Sequence, residues 1–142
     1  MSTAAAPVPP VAPPAGPARA RTWMVLTTVL TCAVFLQAVT AGRILTGDEW
    51  ASDVHRTAAG LLIIAAVVGG LVALRRLRGR AGGRRLGWLL VLMGVGLLVE
   101  HRLGTAAADG EDTLWVHVPL GVALVGLMVR VDMLARRLGG PA

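Results

Sequence analysis

The sequence predicts an all-α fold, a four-helix up-down-up-down transmembrane bundle with a two-helix internal repeat. Three observations carry this expectation. The 142 residues are 55% hydrophobic and only 15% charged, a composition far from that of soluble domains. Four apolar runs are each long enough, at about 1.5 Å per helical residue, to cross a hydrocarbon core of about 30 Å. The polar segments between them alternate between arginine-rich and acidic, as the two faces of a membrane require.

Residues 1–20 hold six of the eight prolines among Ala and Val, a composition with little to bury, and are expected to form a disordered cytoplasmic tail. The transmembrane domain then spans residues 21–138, and 139–142 form a short C-terminal tail. Helix 1 covers 23–41, after Arg19 and Arg21. A cleavable signal peptide is the rival reading, because Val39-Thr40-Ala41 has the small-residue pattern of a cleavage site, although the apolar run is long for one. In the polar loop 42–53, Thr46 and Glu49 have capping-box spacing and Ser52 is a second candidate cap.

Helix 2 covers 53–74 and is headed by His55 and Arg56. It ends in 75–85, where six arginines mixed with Gly and Ala predict a tight basic turn that buries nothing apolar. Helix 3 covers 86–103 and carries Glu100, His101 and Arg102 at its far end. The loop 104–113 is small and acidic, with Asp109, Glu111 and Asp112. Helix 4 covers 114–134, with His117 and Pro119 near its start and Arg130, Arg136 and Arg137 towards its end. Pro119 lacks an N–H to donate to the carbonyl of Trp115, so either the helix begins near Val118 or its first turn is loosened beside His117.

Arginine bias sets the orientation, since basic residues resist translocation. The tail, the six-arginine turn and the C-terminus hold ten of the 14 arginines. A multi-pass cell-membrane protein with both termini cytoplasmic follows. The chain has no Lys, and its formal charge of +6 lies in short arginine blocks without an aromatic-interleaved basic face. The partner so implied is the lipid bilayer, not nucleic acid. Cys32 is the single cysteine, which excludes an internal disulfide and a covalent haem attachment motif.

The repeat appears when the halves are compared: helix, acidic loop, then a helix headed by His with Gly soon after, His55 with Gly60 and His117 with Gly121. Counting back from Arg75 and Arg136 sets both imidazoles ~28 to 30 Å from the arginine face. Counting forward from Arg21 and Arg85 sets Gln37 and His101 at ~24 Å each. Helices 2 and 4 lie on one diagonal of such a bundle, so His55 and His117 are candidates to meet across its core. Two facing imidazoles suit the iron of a b-type haem, with Ala58, Ala59, Gly60 and Gly121 leaving room for the macrocycle. The plainer reading is that each His is an interfacial residue at a helix end.

Arg56, Arg43 and Arg102 are candidates to meet haem propionates; headgroup phosphates or the nearby Asp48, Asp53 and Asp109 would serve them equally. Glu100 and His101, about 100° apart on one helix, are not expected to face the core together. Gln37 lies on a small-residue stripe with Ala33 and Ala41 and suits a bond to another helix. His55, His101 and His117 form a loose metal-ligand set without compact spacing. No Ser/His/Asp set or phosphate-cradling loop is visible.

Thr46-Gly47-Asp48-Glu49-Trp50, then His55-Arg56, then His117 opening the fourth helix, resembles one four-helix half of the haem A synthase family, and also small uncharacterised four-helix bacterial membrane proteins. That resemblance implies His55 and His117 as a haem-ligand pair and Glu49 or Asp48 as the acidic group. One half alone, without the outer-loop cysteine pair of some members, implies the architecture and one haem rather than a synthase. The functions in view are therefore electron transfer or redox sensing with haem b, alongside a homodimer or membrane redox partner; non-catalytic helix, partner or lipid contacts; and ion or metal handling at the same polar cluster.

Overall fold

The computed structural model describes residues 17–139. They form four α-helices, α1 (Pro17–Leu45), α2 (Glu49–Arg76), α3 (Gly83–Ala108) and α4 (Leu114–Gly139), with no strand among the described residues. The expected all-α four-helix bundle is therefore what the chain forms. Each helix contains a stretch of 25 to 28 residues that is long and apolar enough to cross a membrane. At about 1.5 Å per residue these exceed a hydrocarbon core of about 30 Å, so the ends reach the headgroup layers. Four such helices fit a small integral membrane protein in contact with a lipid bilayer.

The helices overrun the boundaries expected from hydropathy because the flanking Ala, Arg, Glu and Ser residues are compatible with helix even where they are too polar for hydrocarbon. Pro17–Leu45 includes the last four residues assigned to the N-terminal tail. The rest of that tail, and residues 140–142 of the C-terminal one, lie outside the described residues. The connections shrink accordingly, and each contains one glycine in the left-handed region, Gly47, Gly82 and Gly110. The capping box does not form. Asp48 is the N-cap of α2 and makes no side-chain cap bond, while the Thr46 hydroxyl donates to the Arg43 carbonyl at 2.9 Å and Ser52 lies inside the helix.

α4 begins at Leu114 and carries Pro119 within it, which resolves the two alternatives in favour of a helix that runs through the proline. Its start is anchored to α3 by the Thr113 hydroxyl, which donates to the Leu103 carbonyl at 2.8 Å.

Each helix packs against two neighbours, α1 on α2 and α4, α3 on α2 and α4, leaving α1/α3 and α2/α4 as the diagonals. The α2–α3 seam is the closest because glycines line it. A Cβ at Gly70 would fall 2.8 Å from the Gly87 carbonyl oxygen, and one at Gly94 would fall 2.5 Å from Val67 Cγ2. The apolar core occupies the half of the bundle nearer the termini: Trp23 and Leu30 of α1, Ala66 and Ala73 of α2, Leu86, Leu90 and Met93 of α3, Met128 and Val131 of α4. Leu77 belongs to it at 2% exposure, so the arginine turn does bury an apolar side chain, contrary to expectation. The reason is Gly83, whose missing side chain lets α3 start against the Leu77 backbone and fold that leucine inward. Large apolar residues such as Phe35, Leu61, Ile64, Leu92 and Val122 point outward, where lipid replaces water.

Candidate functional site

Towards the other end of the bundle the core gives way to two adjoining cavities. The deeper, about 350 Å³, is floored by Val34, Leu97 and Leu124; the shallower, about 300 Å³, reaches Ser52, Arg56 and Leu114. His55, His101 and His117 line both. His55 of α2 and His117 of α4 thus share cavity walls, with His101 of α3 lining both cavities as well.

His55 projects from the second turn of α2 towards α1. Thr40 Oγ1 lies 2.8 Å from its Nδ1, and Gln37 Nε2 donates to its carbonyl oxygen at 3.0 Å. The same Thr40 hydroxyl is 3.0 Å from the Gln37 carbonyl. Donation to that carbonyl leaves the Thr40 oxygen to accept the proton on His55 Nδ1. Gln37 thus makes the interhelical bond its stripe of small neighbours suggested.

His117 projects from the first turn of α4 towards α3. Its Nδ1 lies 3.1 Å from both the carbonyl oxygen and Oε1 of Glu100. Two acceptors at one nitrogen require that Nδ1 carry the proton, so in the neutral ring the lone pair is on Nε2. The ring fits because Gly104 is bare: a Cβ there would lie 2.8 Å from His117 Cε1. The two halves correspond at this level too. Thr40 and Gly104 stand at the same step beyond the matched pair Gln37 and His101, and each faces the histidine of its own half.

Glu100 and His101 both line the deeper cavity, contrary to the expectation that only one would. The cavity is broad enough to be reached from two sides of α3, with Glu100 turned towards α4 and His101 lining the shallower cavity as well. Glu100 Oε1 occupies the space above Gly121, where a Cβ would lie 2.8 Å from it. Gly121 therefore makes room for a carboxylate, and it also lines the deeper cavity. Glu100 Oε2 is buried without a hydrogen-bond partner. Of the other small residues picked out, Ala59 lines the deeper cavity, while Ala58 and Gly60 line neither.

Arg56 lines the shallower cavity. Arg43 is committed to Asp48 in an ion pair of 2.6 Å across the turn, and Arg102 is exposed and lines neither cavity. Neither do Asp48 and Glu49. Among the described residues no group of three or more His, Cys, Asp or Glu side chains is disposed to hold a metal ion, so the three histidines share walls without forming a ligand set of their own.

A second polar cluster, at the terminus-bearing end, escaped sequence reading. Asp132 Oδ1 accepts from the hydroxyls of Thr27 and Thr28 at 2.8 and 2.9 Å, and Oδ2 accepts from Arg136 Nε at 2.7 Å. Arg136 also donates to Thr28 Oγ1 at 2.9 Å. The signal was an acid one turn before an arginine inside an apolar run, opposite a Thr-rich first helix.

Neither a scan against protein-family models nor searches of curated proteins and of solved structures found a match to this chain.

Proposed function

We propose that this is a multi-pass protein of the cell membrane, both termini cytoplasmic, that holds one haem b in the paired cavities with His55 and His117 as axial ligands, for electron transfer or redox sensing near the outer face. The supporting observation is the pair of imidazoles on diagonal helices, lining the same cavities, each with Nδ1 hydrogen-bonded within its own half and with no hydrogen bond at Nε2 among the described residues. That is the arrangement in which a neighbour's bond at one nitrogen fixes the tautomer and makes the other a better ligand. Bound haem would supply a one-electron couple. Arg56, at the shallower cavity, would pair with an anionic propionate. His101, which lines both cavities, would stand beside the bound group without ligating it.

The test is the visible spectrum of detergent-purified protein, from cells making ample haem, before and after dithionite. A reduced α-band that disappears in both His55→Ala and His117→Ala is the expected result. Its absence from the wild-type protein removes the proposal and leaves the second reading, a non-catalytic protein acting through helix, partner or lipid contacts. That reading is favoured by one observation, that His55 and His117 already tie α1 to α2 and α3 to α4 through their hydrogen bonds.

A further inference from the structure

At the terminus-bearing end, opposite the histidine cavities, α3 and α4 enclose a cavity of about 200 Å³. Three arginines line it, Arg85 from the first turn of α3 and Arg130 and Arg137 from α4, together with leucine and methionine. No carboxylate lines it. The arginine ion pairs among the described residues involve Arg43 and Arg136, not these three. Like charges gathered around one cavity repel each other, and an anion seated among them reverses the sign of the interaction.

Arg130 narrows the kind of anion. It precedes Arg137 by two helical turns, on the same face, and so lies about 10 Å deeper at a rise of about 1.5 Å per residue. An unpaired guanidinium at that depth in a membrane span is expensive, and long basic side chains there reach for headgroups. Trp88, one turn beyond Arg85 and 55% exposed, marks the same stretch as an interfacial layer. The cavity opens between two helices whose outward residues there include Trp88, Leu92, Val129 and Met133, so an occupant with both a phosphate and a hydrocarbon portion meets each wall with its like.

We propose that this cavity is a binding site for an anionic phospholipid, its phosphate held by Arg85, Arg130 and Arg137 and its acyl chains lying along the α3–α4 seam. Guanidinium forks match phosphate oxygens in bidentate geometry, which gives selectivity beyond diffuse charge. The site is independent of the haem reading, being at the other end of the bundle and made of other residues.

The experiment is native mass spectrometry of the full-length protein in neutral detergent, offered equal phosphatidylglycerol and phosphatidylcholine. At roughly fivefold per basic group near an anionic lipid, three arginines predict a preference for phosphatidylglycerol of about a hundredfold. Arg85→Gln/Arg130→Gln/Arg137→Gln should erase it, whereas Arg75→Gln/Arg78→Gln/Arg84→Gln, an equal loss of charge outside the cavity, should preserve it. If the first triple variant lacks the wild-type helical circular dichroism, Arg130→Gln alone carries the test, with an expected fall of about fivefold. Equal retention of the two lipids overturns the proposal, and so does an equal loss in the control triple variant. Displacement of the lipid by inorganic phosphate at matched concentration overturns the lipid assignment in favour of a site for soluble phosphate.

Discussion

Replacing Asp132 by Ala should loosen the one helix seam that no turn closes. α1 and α4 are sequence-distant, and their contact lacks the glycine-lined approach of α2 on α3. What joins them, beside apolar packing, is the carboxylate that accepts from Thr27, Thr28 and its own helix's Arg136, together with the bond from Arg136 to Thr28. The two hydroxyl bonds are partly buried and, as side-chain hydrogen bonds between membrane helices, are worth about 0.6 to 1.7 kcal/mol each. The Arg136 side chain is 50% exposed, so its pair with Asp132 adds no more than about 0.5 kcal/mol after screening. The expected loss is about 1 to 4 kcal/mol. It should appear in denaturant titrations of the detergent-solubilised protein followed by circular dichroism. A cycle isolates the clamp: Thr27→Val/Thr28→Val should cost about 1 to 3 kcal/mol alone and much less in the Asp132→Ala background, since its partner is already gone. The Thr27 hydroxyl keeps the Trp23 carbonyl as an alternative acceptor at 3.0 Å, which limits the penalty. An Asp132→Ala loss below about 0.5 kcal/mol, or losses that simply add around the cycle, would refute the clamp.

Three further outcomes are expected. His101→Ala should keep any low-spin haem spectrum that His55→Ala and His117→Ala abolish, and Arg56→Ala should weaken haem retention without removing ligation; loss with His101→Ala and survival with His117→Ala would show the ligand pairing to be wrong. Gly70→Leu should destabilise the bundle by about 1 to 3 kcal/mol or more, because its first side-chain carbon already meets Val91 and the Gly87 carbonyl at 2.7 and 2.8 Å; an unchanged denaturation midpoint would mean that the α2–α3 seam is not so close. Reporters at residue 142 and within 78–82 should report cytoplasm and one at 110 the opposite side, with an intact mass that retains residues 23–41; a mature chain beginning near Gly42 would establish the signal-peptide alternative.

The number of helices, their order and the diagonal placement of His55 and His117 were legible in the sequence because a bilayer leaves few choices. Every backbone polar group in the hydrocarbon must be satisfied within its own segment, so each apolar run of sufficient length becomes a helix, and short connections make neighbours antiparallel. The depth count that matched His55 with His117 rests on helical rise alone, and both line the same cavities. Which way each helix is turned about its axis is a different matter. Rotation is set by packing against neighbours, here by bare positions such as Gly70, Gly104 and Gly121 that admit a facing side chain. Only that decides that Glu100 swings over Gly121 to reach His117, that His101 joins the same cavities, and that Asp132 finds Thr27 and Thr28 across a seam joining sequence-distant helices. Leu77 makes the same point at smaller scale: within an arginine turn it reads as surface, and it is buried because the backbone at Gly83 passes close enough to cover it. Hydropathy is a property of one segment at a time, whereas a polar partner or a covered leucine is a property of two segments in contact, and the second exists only once the helices have packed.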